Sequence, residues 1–142
     1  MKVLSILLIT LFPIIALGQQ DTIPTSTQWP IGMTVEQFNL KLKTTTKPLL
    51  VNFTADWCVV CKRQKPILDQ VMAEVKSQVE LLVIDMESNP LIASYFEVDG
   101  LPVLILYKDG YMLWNRVGLQ DRIQVLEPMS PYLDKKEHIK VH

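Results

Sequence analysis

Two cysteines three residues apart, Cys58 and Cys61, are the side chains of this sequence best suited to chemistry. Residues at this spacing are neighbours on a helix, with Cβ atoms about 5 to 6 Å apart, so the pair can exist as a dithiol or a disulfide. A helix N-terminus stabilises a thiolate through its unpaired amides and partial positive charge. We therefore expect Cys58 to attack a disulfide, and Cys61, one turn later and less accessible, to resolve the mixed disulfide.

Two other uses of the cysteines are weaker. A structural disulfide that closes so short a loop adds little chain-entropy stabilisation. A zinc site normally has four ligands, and the chain offers no third cysteine and only two histidines, His138 and His142, near its end. The spacing therefore favours a redox pair, with no metal and no cofactor.

A strand and a helix are predicted to position the cysteines. Residues 49–53 form a short apolar run that predicts a buried strand leading to the pair. Apolar residues then recur at helical spacing over 67–79, with charged residues between them, so the cysteines should lie at the N-terminal end of an amphipathic helix. Pro66 falls inside this helix and predicts a kink just after its first turn.

Three further apolar runs predict the rest of a sheet. Residues 81–84 are expected to lie parallel to the first strand, because a helical crossover joins the two. Residues 103–107 and 112–117 flank Asp109-Gly110, which is a strong hairpin-turn signal, and should pair antiparallel. The pattern predicts an α/β fold with a mixed sheet.

Shorter helices are predicted at the two ends of this region. Thr34 and Gln37 form a capping-box pattern ahead of a short first helix. Asp121 can cap a last helix, but Pro128 and Pro131 should interrupt it, so we expect a short helix, then a break, and a second turn from Ser130.

The N-terminal residues resemble an export signal, with positive charge at Lys2, an apolar stretch over 3–17 and small residues near its end. The stretch is shorter than the roughly 20 residues that a membrane-spanning helix needs, which favours a cleaved signal over an uncleaved anchor. We expect residues 1–18 to be a signal peptide, residues 19–30 a flexible lead-in, and residues 31–142 one domain. The protein is therefore expected to be exported, periplasmic or secreted.

Charge and patterning limit the partners. The formal net charge is −1 and the charged residues are scattered, so no basic stripe is present that could follow a nucleic-acid backbone. No heptad pattern or large apolar repeat indicates an oligomer, and a monomer is expected. Because the charge is scattered, we expect no nucleic-acid partner.

Residues 55–62, Ala-Asp-Trp-Cys-Val-Val-Cys-Lys, resemble the active-site segment of the thioredoxin family. They are most similar to the C-terminal, thioredoxin-like domain of the periplasmic thiol:disulfide interchange reductase. Three downstream landmarks agree with the family: Pro66 in the active-site helix, Gly-Leu-Pro at 100–102, and Gly118. The resemblance implies that residues 31–142 adopt a thioredoxin fold, a central mixed sheet of about four to five strands flanked by helices.

The resemblance also implies a function and its residues. It implies a protein-disulfide reductase with Cys58 and Cys61 as catalytic residues, which acts on disulfide-containing client proteins and takes electrons from a membrane electron-transfer protein. Trp57, Leu101 and Pro102 are the implied substrate-binding residues. A cis bond between Leu101 and Pro102 would expose backbone for pairing with a substrate strand, and Trp57 would be either an exposed apolar platform or a partly buried packing residue.

The sequence departs from the family in two places near the cysteines. Asn52 stands where the family has a buried Asp, and residues 81–84 supply no Lys to pair with it, so an amide that cannot take a proton replaces a base. Val59 and Val60 include no His to stabilise a thiolate, which favours a reductase. A disulfide donor or isomerase, and a non-catalytic binding module that uses Trp57 and the Leu101-Pro102 edge, remain as alternatives.

Overall fold

The structure is a computed structural model that describes residues 32–134. The predicted signal peptide and lead-in, and the two histidines near the end of the chain, lie outside the described residues. Between residues 32 and 134, no helix is both long and apolar enough to cross a membrane.

A four-stranded mixed sheet forms the centre of the fold, in the order β2-β1-β3-β4. Its strands are β1 (Leu49–Thr54), β2 (Glu80–Asp85), β3 (Val103–Lys108) and β4 (Tyr111–Val117). Strand β1 pairs parallel with β2 and antiparallel with β3, which in turn pairs antiparallel with β4. The predicted strands and both predicted strand orientations are confirmed.

Within residues 32–134, four α-helices and one 3₁₀ helix flank the sheet. The α-helices are α1 (Val35–Thr44), α2 (Val59–Val75), α3 (Pro90–Tyr95) and α4 (Arg122–Leu126), and the 3₁₀ helix spans Glu127–Tyr132. Pro66 lies inside α2, and the helix is continuous from Val59 to Val75. The cysteines therefore lie at the start of the longest helix that the structure describes, immediately after the loop that follows β1.

Local signals explain where two of these elements begin or turn. The Thr34 hydroxyl accepts a hydrogen bond from the Gln37 amide at 3.2 Å, and the Gln37 side chain accepts one from the Thr34 amide at 2.9 Å, so the predicted capping box is confirmed. Asp109 and Gly110 both have positive φ, 52° and 83°. This is the conformation of a two-residue hairpin turn whose twist matches the strands it joins.

The segment after α4 differs from the prediction. A 3₁₀ helix follows α4 directly, where the prolines predicted a break. Pro128 lies in the first turn of that helix, where the missing amide of proline would have no helical partner in any case. Met129 is fully buried and packs in the same cluster as Val125 of α4, so apolar packing holds the segment against the domain.

Apolar side chains cover both faces of the sheet. One cluster packs α1 and α3 against β1, β2 and β3, and includes Phe38, Phe53, Ile92 and Tyr107. The other packs α2, α4 and the 3₁₀ helix on the opposite face, and includes Leu50, Leu68, Leu104 and Val125. Because successive side chains of a strand point to opposite faces, β1 contributes to both clusters. The strand that leads to the cysteines is thus held by two layers of helices.

Candidate active site

Cys58 and Cys61 are joined by a disulfide, with their Cα atoms 5.2 Å apart. Cys58 is the N-cap of α2, and Cys61 lies in the first turn. The sulfur of Cys58 accepts a hydrogen bond from the Cys61 amide at 3.0 Å. The first turn of α2 contains no acidic side chain that would oppose a negative charge on this sulfur. The site therefore offers a Cys58 thiolate both an amide donor and the positive end of a helix.

The burial of the two cysteines corrects one expectation. Cys61 was expected to be less accessible than Cys58, yet each residue is only 5% exposed. The reason is packing, because Ala55 and Leu101 enclose both cysteines in one small cluster. The two residues differ instead in what they face, since Cys58 lines a groove on the surface and Cys61 lines a separate cavity behind it.

The groove beside Cys58 has a volume of about 400 Å³ and mostly apolar walls. Trp57 is 65% exposed on one side of it, so its ring stands free at the surface and is not packed in the core. Val59 and Val60 extend this apolar side, at 71% and 37% exposure. Met86 and residues 98–101 complete the lining of the groove. A client protein would find a mostly apolar surface around Cys58.

The structure places Leu101 and Pro102 beside the cysteines. The peptide bond between them is cis, as predicted, and Leu101 packs against the cluster that contains Cys58 and Cys61. Among the described residues, neither the amide nor the carbonyl of Leu101 takes part in a backbone hydrogen bond. Backbone groups that are free in this way can pair with an extended peptide laid along the groove.

A second cavity, of about 420 Å³, lies on the α2 side of β1. Its lining includes Asn52, Cys61 and Val83, together with Lys62 and Lys65 of α2. Asn52 is 7% exposed, and its side-chain oxygen is buried without a hydrogen-bond partner among residues 32–134. Val83 is its partner residue on β2. The position that the family fills with a carboxylic acid is therefore an uncharged amide in a largely buried setting.

Sequence analysis missed the side chain that ties α2 to the groove. Gln64 is fully buried; its side-chain amide donates to the Gln120 carbonyl at 3.1 Å, and its oxygen accepts from the Gln120 amide at 2.8 Å. Two residues before Gln120, the Gly118 amide donates to the Pro102 carbonyl at 2.8 Å. The available signal was a polar residue in the buried stripe of α2, between Cys61 and Leu68. This network fixes the cysteine helix relative to the loop opposite it.

Known proteins share this arrangement. The family model described as thioredoxin matches residues 30–130. A thioredoxin of Rickettsia felis is 32% identical over 96 residues, which cover 68% of this chain and 91% of that protein. A thioredoxin of Mycolicibacterium smegmatis is 32% identical over 105 residues, which cover 72% of this chain and 94% of that protein.

Solved structures agree in fold. A chain from a study of thiol resolving in yeast mitochondrial 1-Cys peroxiredoxin, through the glutathione and thioredoxin systems, superposes with a TM-score of 0.65. It is 22% identical, and the match covers 75% of this chain and 95% of that one. Three observations indicate the same family: the mixed sheet, the cysteine pair at the start of α2, and the family match over residues 30–130. The chain has the thioredoxin fold and belongs to the thioredoxin family, and it is a thiol:disulfide oxidoreductase whose redox pair is Cys58 and Cys61.

Proposed function

We propose that this oxidoreductase is exported and reduces disulfides in periplasmic or secreted proteins. Cys58 attacks the client disulfide and forms a mixed disulfide, and Cys61 then attacks Cys58 and releases the reduced client. Trp57 and the free backbone of Leu101 hold the client segment on the two sides of Cys58. The reduced pair is regenerated by a membrane electron-transfer protein, a proposal supported by the resemblance of residues 55–62 to the periplasmic reductase segment.

The residues between the cysteines support the choice of a reductase over a disulfide donor. A pair becomes a strong oxidant when its reduced form is stabilised, because a stabilised thiolate raises the reduction potential. Val59 and Val60 supply no charge or hydrogen-bond donor from their side chains, and no Lys, Arg or His of the described part of the chain lines the groove. The Cys58 thiolate is left with the helix N-terminus and the Cys61 amide. This limited stabilisation favours a reducing pair.

Equilibration of the purified protein with glutathione or dithiothreitol buffers tests the direction. We expect a reduction potential of about −230 to −290 mV, in the range of reducing thioredoxin-type pairs. Val60→His is the matched variant, because an added imidazolium beside the thiolate should raise the potential by at least about 30 mV, a tenfold change in the equilibrium constant. A wild-type value near about −120 to −180 mV would instead assign a disulfide donor or isomerase.

Export is tested separately, by expressing the full chain in a bacterial host and determining the mass of the product in each cell fraction. We expect a periplasmic product that begins at Gln19, because residues 1–18 have the charge and apolar pattern of a cleaved signal. Leu7→Arg is the control, since a charge in the middle of the apolar stretch should leave the chain uncleaved in the cytoplasm. Wild-type protein that stays uncleaved in the cytoplasm would refute the export proposal.

A further inference from the structure

Asp99 is the one acidic or basic side chain among the described residues that line the groove beside Cys58. The other groove residues are apolar, apart from the cysteine itself and Gly100. Within residues 32–134, Asp99 makes no ion pair and no side-chain hydrogen bond. Asp99 is exposed, so the groove has one negatively charged side chain, without an ion-pair partner among the described residues, in an otherwise apolar lining.

The backbone around Asp99 is held in a defined position. The Glu97 amide donates to the Ser94 carbonyl, and the Val98 amide donates to the Ala93 carbonyl, each at 3.1 Å. On the other side of Asp99, Gly100 approaches β4 so closely that a Cβ there would lie 3.1 Å from Val117. The carboxylate therefore projects from a segment anchored to α3 before it and in close contact with the sheet after it.

The distance along the chain places this carboxylate within reach of a bound client. Asp99 is two residues before Leu101, so their Cα atoms are at most about 7 Å apart. A client segment paired with the free backbone of Leu101 would carry the side chains next to its reacting cysteine past Asp99. The lysines of α2 nearest the cysteines, Lys62 and Lys65, line the second cavity and not the groove, and within residues 32–134 neither forms an ion pair with Asp99.

We propose that Asp99 makes this protein select clients that carry a lysine or arginine within about two residues of the cysteine that Cys58 attacks. This inference rests on the proposed reductase function and adds a charge preference to it. Asp99 acts by attracting the basic side chain as the client enters the groove, and clients with an acidic residue at that place are disfavoured. The apolar walls take up the rest of the segment without regard to its charge.

Two disulfide-bridged peptides provide the test; they are identical except that the residue beside one cysteine is Lys in the first and Glu in the second. Each is mixed with the reduced full-length protein, and the second-order rate constant of reduction is measured. The protein dithiol becomes a disulfide and the peptide disulfide becomes a dithiol, so two electrons and two protons pass to the peptide without another reductant. Asp109→Asn is the control, because it removes one negative charge at the distant β3–β4 turn.

We expect wild-type protein and Asp109→Asn to reduce the Lys peptide about two- to fivefold faster than the Glu peptide, the size typical of exposed charge pairs. Asp99→Asn should bring the ratio close to one, Asp99→Lys should invert it, and added salt should weaken the wild-type preference. A ratio that stays the same in Asp99→Asn, or that changes equally in Asp109→Asn, overturns the proposal while leaving the reductase function intact. Failure of the wild type to reduce either peptide overturns both.

Discussion

Cys58→Ser is expected to lower the rate of client disulfide reduction at least about 1,000-fold. A serine hydroxyl is not ionised near neutral pH and cannot form a mixed disulfide, so the attacking step is lost. The helix N-terminus and the Cys61 amide, which stabilise a thiolate at this position, have no anion to act on in the variant. The measurement is the second-order rate constant for reduction of a disulfide-bridged peptide by the reduced protein.

Cys61→Ser is the matched variant, and its expected result is different in kind. The Cys58 thiolate still forms, attacks the client and makes a mixed disulfide, but no second thiol is present to release it. A covalent complex of one protein and one client should therefore accumulate on a non-reducing gel and disappear when dithiothreitol is added. Circular dichroism checks that both variants are folded, as expected of a pair outside the two main core clusters.

Each variant also separates the proposed reductase from a binding module. If cells with Cys58→Ser behaved like cells with the wild-type protein, the cysteines would be dispensable. The protein would then act as a non-catalytic module that binds partners in the groove. If Cys61→Ser turned over at the wild-type rate without a trapped complex, Cys61 would not be the resolving residue. Loss of activity in the first variant and trapping in the second assign attack and resolution to these two sulfurs.

The parts of the fold that sequence analysis predicted are those set by neighbouring residues. The Thr34 capping box and the Asp109-Gly110 turn depend on side chains or φ values within four residues, and both are confirmed. The apolar run that became β1 is buried on both faces, and such runs stand out in any sequence. The position of the cysteines at the start of α2 followed from these neighbours.

The parts that it missed depend on residues distant in the chain. Gln64 and Gln120 are 56 positions apart; the polar Gln64 in the buried stripe of α2 signals that a partner is needed, but nothing local to it identifies Gln120, after β4, as that partner. The burial of Cys58 is of the same kind, because Leu101 reaches it from a loop 43 residues further along the chain. The 3₁₀ helix also begins directly after α4, without the predicted break before the turn at Ser130, since the burial of Met129 outweighed the helix-breaking tendency of the prolines.

Asn52→Asp is expected to make the stability of the protein depend on pH in a way that the wild type does not. Asn52 is 7% exposed on β1, and its side-chain oxygen has no hydrogen-bond partner. A carboxyl at this position loses most of its hydration, and burial raises the pKa of a carboxyl because it disfavours the charged form. The cavity that Asn52 shares with Cys61 is lined by charges of both signs: Asp56, Lys62, Lys65 and Asp69. Lys65 is paired with Asp69 at 2.7 Å, and the charges of Lys62 and Asp56 are opposite, so the cavity lining carries no net positive charge that would lower the pKa again.

The direction of the effect follows from proton binding. Between the unfolded pKa, about 3.9, and the raised folded pKa, the native variant binds more protons than the unfolded chain, so its stability falls as pH rises through this range. Each unit of increase in pKa corresponds to about 1.4 kcal/mol. An increase of about two units would make the variant about 2 kcal/mol less stable at pH 8 than at pH 4, relative to the wild type. Urea unfolding at a series of pH values measures the difference.

Asn52→Leu separates the charge from the shape, because leucine has the same branched skeleton and number of side-chain heavy atoms as asparagine and does not titrate. Its change in stability relative to the wild type should be the same at pH 4 and pH 8, and small, since the buried oxygen that it removes has no partner to leave unsatisfied. If Asn52→Asp also showed no dependence on pH, the position would be open to water and the cavity wet up to β1. A pH-dependent loss confined to Asn52→Asp would show that the wild-type amide keeps a charge out of the space behind Cys61, so that the proton of the resolving thiol must leave through water.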